Sequence, residues 1–184
     1  HYERTQTWWE QSADWHRYLA RCQFLLRQGL FVADICYLQP ERPPQSFEAH
    51  PRLGYDYDEC GAEVVLNRMS VKNGRITLPD GMSYQLLVLP QTGRMTPPLL
   101  RKIKELVDAG ATVIGAKPPQ KSSSLTDLGA GDAEVKKLAS ELWPKIVTNK
   151  TAAQLLGERG VKQDFSAATK LRYIHRSIGD AEVY

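Results

Sequence analysis

The stretch YQLLVLPQTGRMTPPLLRKIKELVDAGATVIGA, residues 84–116, holds strand, turn, helix and strand in one continuous span. Tyr84 to Pro90 is apolar almost throughout, the pattern of a strand buried on both faces. Gly93 punctuates the loop that follows. Thr96-Pro97 supplies an N-cap and then a proline at the first helical position, where a missing N–H is no loss. Leu99, Leu100, Ile103, Leu106 and Val107 fall on one face at helical spacing, and Gly110 closes the helix. Ala111 to Ala116 is a second apolar run. Strand, helix and strand in this order form a βαβ unit, with parallel strands and a right-handed crossover.

Working outward, the alternation continues. Ser12 to Gln28 predicts an amphipathic helix, with Ser12 as N-cap, Trp15, Leu19, Cys22, Leu25 and Leu26 as its apolar stripe, and Gly29 at C′. Leu30 to Leu38 reads as a first buried strand, followed by a proline-rich loop from Gln39 to Pro51. Gly54 to Asp58 predicts a short strand, and Cys60 to Met69 a helix. Asn73-Gly74 and Asp80-Gly81 both favour the positive φ of tight hairpin turns, so the residues around Arg75 to Pro79 predict a small β-meander. Beyond the Lys/Pro/Ser loop at Lys117 to Ser124, a helix is expected from Asp132 to Leu142, with Asp132 as N-cap. A short strand at Lys145 to Thr148 and a short helix at Thr151 to Glu158 come next. Leu171 to Ser177 and Ala181 to Tyr184 read as a hairpin. Alternating strands and helices point to a doubly wound α/β layer fold.

Composition narrows the function. With 184 residues, 42% hydrophobic and 24% charged, the chain can form one ordinary globular core. Its net charge of +3 comes from interleaved charges without a basic block, so nucleic acid is not indicated. Cys22, Cys36 and Cys60 show no Cys-x-x-Cys spacing, which supports neither a zinc site nor a disulfide scaffold; three buried or half-buried thiols are expected, with one disulfide as the alternative. No apolar run has the roughly 20 residues that cross a membrane. The chain opens at His1 and stops at Tyr184 within an expected strand, which reads as a fragment.

Specific chemistry is sparse. Gly129-Ala130-Gly131-Asp132-Ala133-Glu134 lacks the third small residue of a dinucleotide fingerprint and follows no buried strand. After Leu86 to Leu89 comes Pro90-Gln91-Thr92-Gly93, with no Cys or Ser at the turn where a nucleophile elbow would place one. Asp56, Asp58, Glu59 and Glu63 gather near a strand end, where α/β folds place their sites, and could meet sugar hydroxyls or a hard cation. A solvated strand end with acids at a helix N-terminus is the favoured reading of them. His175-Arg176 lies beside Asp180 across the expected hairpin, in position for a surface ion pair. Trp8, Trp9 and Trp15 are read as packing residues that leave an apolar surface exposed.

Several segments taken in order resemble glycoside hydrolase family 106, the α-L-rhamnosidases. They include Trp8-Trp9-Glu10-Gln11-Ser12, Gln28-Gly29-Leu30-Phe31-Val32-Ala33-Asp34, Leu66-Asn67-Arg68-Met69-Ser70-Val71 and Leu78-Pro79-Asp80-Gly81-Met82-Ser83-Tyr84. The resemblance implies a (β/α) barrel carrying the active site, followed by an α/β domain. Residues 1–29 would then be the last barrel helix, 30–168 the accessory domain and 169–184 the start of a β-sandwich. The implied fold is a three-layer, doubly wound, mostly parallel sheet, flavodoxin-like or class I glutamine amidotransferase-like, with the meander inserted. The implied reaction is inverting hydrolysis of terminal α-L-rhamnosides by two glutamates, assisted by calcium. Neither glutamate maps onto this sequence.

The expected role is therefore a structural accessory domain of a glycosidase, with its partners the adjoining barrel, the β-sandwich and the parent's carbohydrate substrate. Asp56, Asp58, Glu63, His175 and Arg176 are candidates for the rim of the substrate pocket; no catalytic or metal-ligating residue is assigned. The rivals are a free-standing carbohydrate-binding or interaction module, and an amidotransferase-like enzyme, which the missing elbow nucleophile disfavours.

Overall fold

A computed structural model describes residues 3–42, 50, 54–126, 129–169 and 171–184. In chain order its elements are α1 (Ala13–Leu26), β1 (Leu30–Phe31), β2 (Ile35–Leu38), β3 (Tyr57–Cys60), α2 (Ala62–Arg68), β4 (Ser70–Lys72), β5 (Arg75–Thr77), β6 (Ser83–Tyr84), β7 (Leu86–Val88), α3 (Pro97–Asp108), β8 (Val113–Ile114), α4 (Ala130–Leu142), α5 (Ala152–Glu158), β9 (Arg176–Ile178) and β10 (Ala181–Val183). The chain forms two compact units, one from His1–Val32 with Arg172–Tyr184, the other from Ala33–Leu171.

In the first unit a single 3-10 turn, Glu10–Ser12, leads into α1. Ser12 occupies the N-cap position, but its hydroxyl donates back to the Trp9 carbonyl (2.6 Å) instead of capping the helix. No residue of α1 is buried, and Trp15, Tyr18, Phe24, Leu25 and Leu26 are exposed. Gly29 lies two residues beyond the C-cap Arg27 rather than at C′. Its φ of +56° and the Ser177 carbonyl oxygen, 2.0 Å from where a Cβ would stand, leave room for glycine alone. An antiparallel sheet of order β1-β9-β10 completes this unit, so the two terminal segments pair with each other. Arg176 fixes the join by donating to the carbonyls of Gln28 (2.5 Å) and Gly29 (2.8 Å).

The second unit is mixed α/β, built on a parallel sheet of order β3-β2-β7-β8 with a separate antiparallel meander, β4-β5-β6. Asn73 and Gly74 both take positive φ at the first meander turn, as their sequence requires. Alternation sorts the parallel sheet into two faces. Ile35, Leu86 and Ile114 cluster with Tyr55 and the buried side of α5, Ala152, Leu155 and Leu156. Their neighbours Cys36, Leu87 and Val113 point the other way. The connections from β3 to β7, β7 to β8 and β8 to Val147 all step in one direction across the sheet, so right-handed crossovers place α2, α3 and α4 together over that second face. Ile103, Leu106, Val135 and Leu142, each at most 1% exposed, fill this layer.

Several expectations change. The single strand expected at Leu30 to Leu38 is two. The Val32 amide bonds to His175, whereas Asp34 bonds through its amide to Asp56 and through its carbonyl to Gln85 and Leu86. An apolar run shows that a segment is buried but not which backbone it pairs with. The strand expected from Tyr84 to Pro90 divides for the same reason, β6 joining the meander and β7 the parallel sheet. The expected strand Gly54 to Asp58 starts later, at Tyr57. Lys145 to Thr148 is no full strand: Pro144 sits in a 3-10 turn that takes up Lys145, and Val147 makes one parallel bridge to Ile114. At α4 the N-cap is Gly129, and Asp132 instead accepts the Ser122 amide (2.7 Å), tying down the preceding loop. Thr96 does precede α3, but its amide and hydroxyl both donate to Glu41 (2.7 and 2.6 Å), so a carboxylate from the β2–β3 connection faces the helix N-terminus. Thr151 and Gln154 close a reciprocal capping box on α5. The middle of the proline-rich loop lies outside the described residues.

Candidate functional site

The carboxyl ends of β2, β7 and β8 open into a cleft of about 540 Å³. Open α/β sheets hold ligands at this end of their strands, beside the point where strand order reverses. Here the order reverses between β2 and β7. The floor is the sheet face itself, with Ile35, Tyr37, Val88 and Ile114; Gln91 and Asn149 supply polar groups from the connections above, and Gln154 from the first turn of α5. Lys150, also in the lining, is paired with Glu158. No aspartate or glutamate lines the cleft among the described residues.

Tyr37 anchors one wall. Its ring stacks on His50 at 3.6 Å between centroids and 9° between planes, and Tyr57 meets both rings edge-on at 5.4 Å. Glu59 completes the group, accepting from the Gln39 amide (2.7 Å) and lying 3.7 Å from His50 Nε2. Burial, and secondarily Tyr57, pushes the Tyr37 hydroxyl above its ordinary pKa, so it stays protonated and able to donate.

The acidic cluster read from the sequence does not converge on this cleft. Asp56 is buried and accepts the Tyr57 amide (2.9 Å). Asp58 points to the opposite sheet face from Tyr57 and accepts from the Tyr84 hydroxyl (3.0 Å). Glu63 is exposed on α2 and reaches Asn67 (3.3 Å). His175 and Arg176 belong to the other compact unit. The surface ion pair expected of His175-Arg176 with Asp180 is not formed. His175 is buried, 2.6 Å from Glu182 and stacked on Tyr184, while Arg176 serves backbone carbonyls. Asp180 lies in the turn, whereas Glu182 stands opposite Ser177, whose side of the sheet His175 shares, so Glu182 becomes the partner.

Cys36 and Cys60 lie under the helical layer as free thiols, with sulfurs 3.5 Å apart; Cys22 is half-buried on α1. The hydrogen bond to Cys60, then burial, holds the Cys36 thiol far above its usual range, the opposite of an activated nucleophile. Among the described residues no group of three or more His, Cys, Asp or Glu is placed to hold a metal ion. No helix there is long and apolar enough to cross a membrane.

Sequence reasoning missed the cleft residues. Pro90-Gln91-Thr92-Gly93 holds no nucleophile, but its place after a buried strand marks a ligand-facing loop. Asn149 and Gln154 carried no motif.

The comparisons point in one direction. The sequence profile of glycoside hydrolase family 106, alpha-L-rhamnosidase, matches residues 1–184. A protein of Formosa agariphila, provisionally named a beta-glucuronidase, is 38% identical over 191 residues, covering all of this chain and 16% of its own. The solved rhamnosidase of Novosphingobium sp. PP1Y superposes with a TM-score of 0.81 at 26% identity, over 98% of this chain and 19% of that one. The chain thus spans less than a fifth of either relative, and with its profile matched from end to end it belongs to glycoside hydrolase family 106.

Proposed function

We propose that this chain is an accessory α/β part of an α-L-rhamnoside hydrolase whose catalytic carboxylates lie elsewhere in the parent protein. The observation that carries the reading is the cleft. Family membership directs attention to glycoside hydrolysis, which needs a carboxylic acid and a carboxylate flanking the sugar, roughly 6.5–9.5 Å apart for inversion. The described cleft at the strand ends offers amides, hydroxyls and apolar surface but no carboxylate.

The finer assignments follow from the resemblance. The parallel sheet is flavodoxin-like or class I amidotransferase-like, and its strand order is compatible with that. The first unit supplies the last helix of the catalytic barrel and the first strands of a β-sandwich. That α1 has no fully buried residue, with Trp15, Tyr18, Phe24 and Leu26 exposed, supports a helix that packs on another part of the parent. Of the five rim candidates, Glu63 retains the exposure that contact with a saccharide needs; Asp56, Asp58, His175 and Arg176 are held by neighbouring groups. Calcium, if used, belongs to the parent's catalytic region.

The relatives' names differ in the sugar they imply, one neutral and one anionic. Assaying the intact protein on aryl α-L-rhamnoside and aryl β-D-glucuronide separates them. Turnover of the rhamnoside is expected; turnover of the glucuronide alone would overturn the assignment.

A further inference from the structure

We propose that the cleft above Tyr37 and Val88 binds a neutral 6-deoxyhexose unit, at a sugar position separate from the catalytic centre. The proposal rests on the rhamnosidase reading for the class of saccharide the protein meets, and on the cleft for everything else. Charge excludes the competing ligands. With no carboxylate in the described lining, nothing balances a metal cation or an ammonium group. Lys150, the one cation among the described lining residues, has its charge offset by Glu158, which removes the net positive charge that would draw a phosphate or a uronate.

Hydroxyl groups fit what remains. The side-chain amides of Gln91 and Asn149 offer a donor and an acceptor each. Gln154 spends its Oε1 on the Thr151 amide and hydroxyl, leaving its NH2 to donate. Beneath them, Ile35, Val88 and Ile114 form the apolar part of the floor, beside the Tyr37 ring. A hexose carrying CH2OH at C5 would press a hydroxyl onto that floor and lose its hydration; a 6-deoxyhexose presents a methyl group. The cleft volume of about 540 Å³ lies within the range of small-molecule sites, so one sugar unit fits with part of its neighbour.

The test uses the intact protein and calorimetric titration with L-rhamnose, L-mannose (its 6-hydroxyl counterpart) and D-glucuronate. Two L-rhamnose sites are expected in the wild type and one in Ala116→Trp, which fills the cleft. Asn149→Ala should weaken the second site about 3- to 10-fold, the value of one uncharged hydrogen bond, and it decides alone if the tryptophan variant does not fold. L-mannose should bind that site at least about tenfold more weakly. A single site in the wild type, two sites surviving in Ala116→Trp, no change in Asn149→Ala, or equal binding of L-mannose or D-glucuronate in the cleft would overturn the proposal. Rhamnoside turnover with only one sugar site would sink the cleft proposal alone. Absent turnover would sink the family-based function on which it rests.

Discussion

On one face of the parallel sheet Cys36, Leu87 and Val113 are at most 1% exposed beneath three helices; on the other, Tyr37 and Val88 stay half-buried beside the seven-residue α5. The strands are the same, so the difference comes from their connections. Each link that steps one way across the sheet carries a helix to the closed face. The link from β2 to β3 steps the other way, and its sequence holds Pro40, Pro43, Pro44 and Pro51. Among the described residues that link puts no helix over the second face, which keeps its cleft beside α5.

Truncation on the two faces should separate them most. Leu87→Ala, on the closed face, is expected to cost about 3 kcal/mol of unfolding free energy, with a cavity left behind. Val88→Ala, its neighbour on the cleft face, should cost about 1 kcal/mol, because part of that side chain is already exposed. Equal losses in denaturant unfolding would mean that the cleft face is packed as tightly as the closed one.

A smaller effect tests the polar part of the closed face. Tyr84 is 2% exposed and its hydroxyl donates to Asp58, while burial first, and then the Asp58 charge, drives the Tyr84 pKa far upward. Tyr84→Phe leaves the Asp58 oxygen without that donor and should cost about 1–2 kcal/mol. A loss near zero would show that solvent reaches Asp58 and that the face is less closed than described.

The smallest effect is a slope with pH. Asp34 precedes β2, and burial, partly opposed by Arg75 and reinforced by Asp164, raises its pKa above the ordinary 3.8. The folded state then holds the proton more tightly than the unfolded chain. The Asp34 contribution is therefore most favourable below that ordinary value and falls away as pH rises through the elevated one. Asp34→Asn should flatten this part of the stability–pH curve; an unchanged slope would assign it to other carboxylates.

How much of this was written in the sequence varies with the kind of question. The βαβ unit from Tyr84 to Ala116 was legible because its apolar residues follow helical and extended periods and its caps mark the boundaries. Partner choice was not legible. Leu30 to Leu38 carries one hydrophobic signal but serves two sheets, and the carboxylate at the start of α3 comes from Glu41, far off in the chain. The acidic cluster of the sequence is dispersed in space because neighbours on a strand are spatial opposites: Asp58 faces Tyr84, whereas Tyr57 and Glu59 join Tyr37 and His50. The cleft escaped notice because its polar groups come from separate connections, each unremarkable until the sheet aligns them.

The most direct test of the accessory role is the turnover of aryl α-L-rhamnoside by the intact protein carrying Asp58→Asn, Glu59→Gln and Glu63→Gln together. These changes preserve shape and hydrogen-bonding capacity while removing three carboxylates. The accessory role predicts kcat within about threefold of wild type, with KM free to rise if Glu63 meets the saccharide. A fall in kcat of about 10²–10⁴, the usual loss when a general acid or base is removed, would place catalysis in this chain and contradict the account.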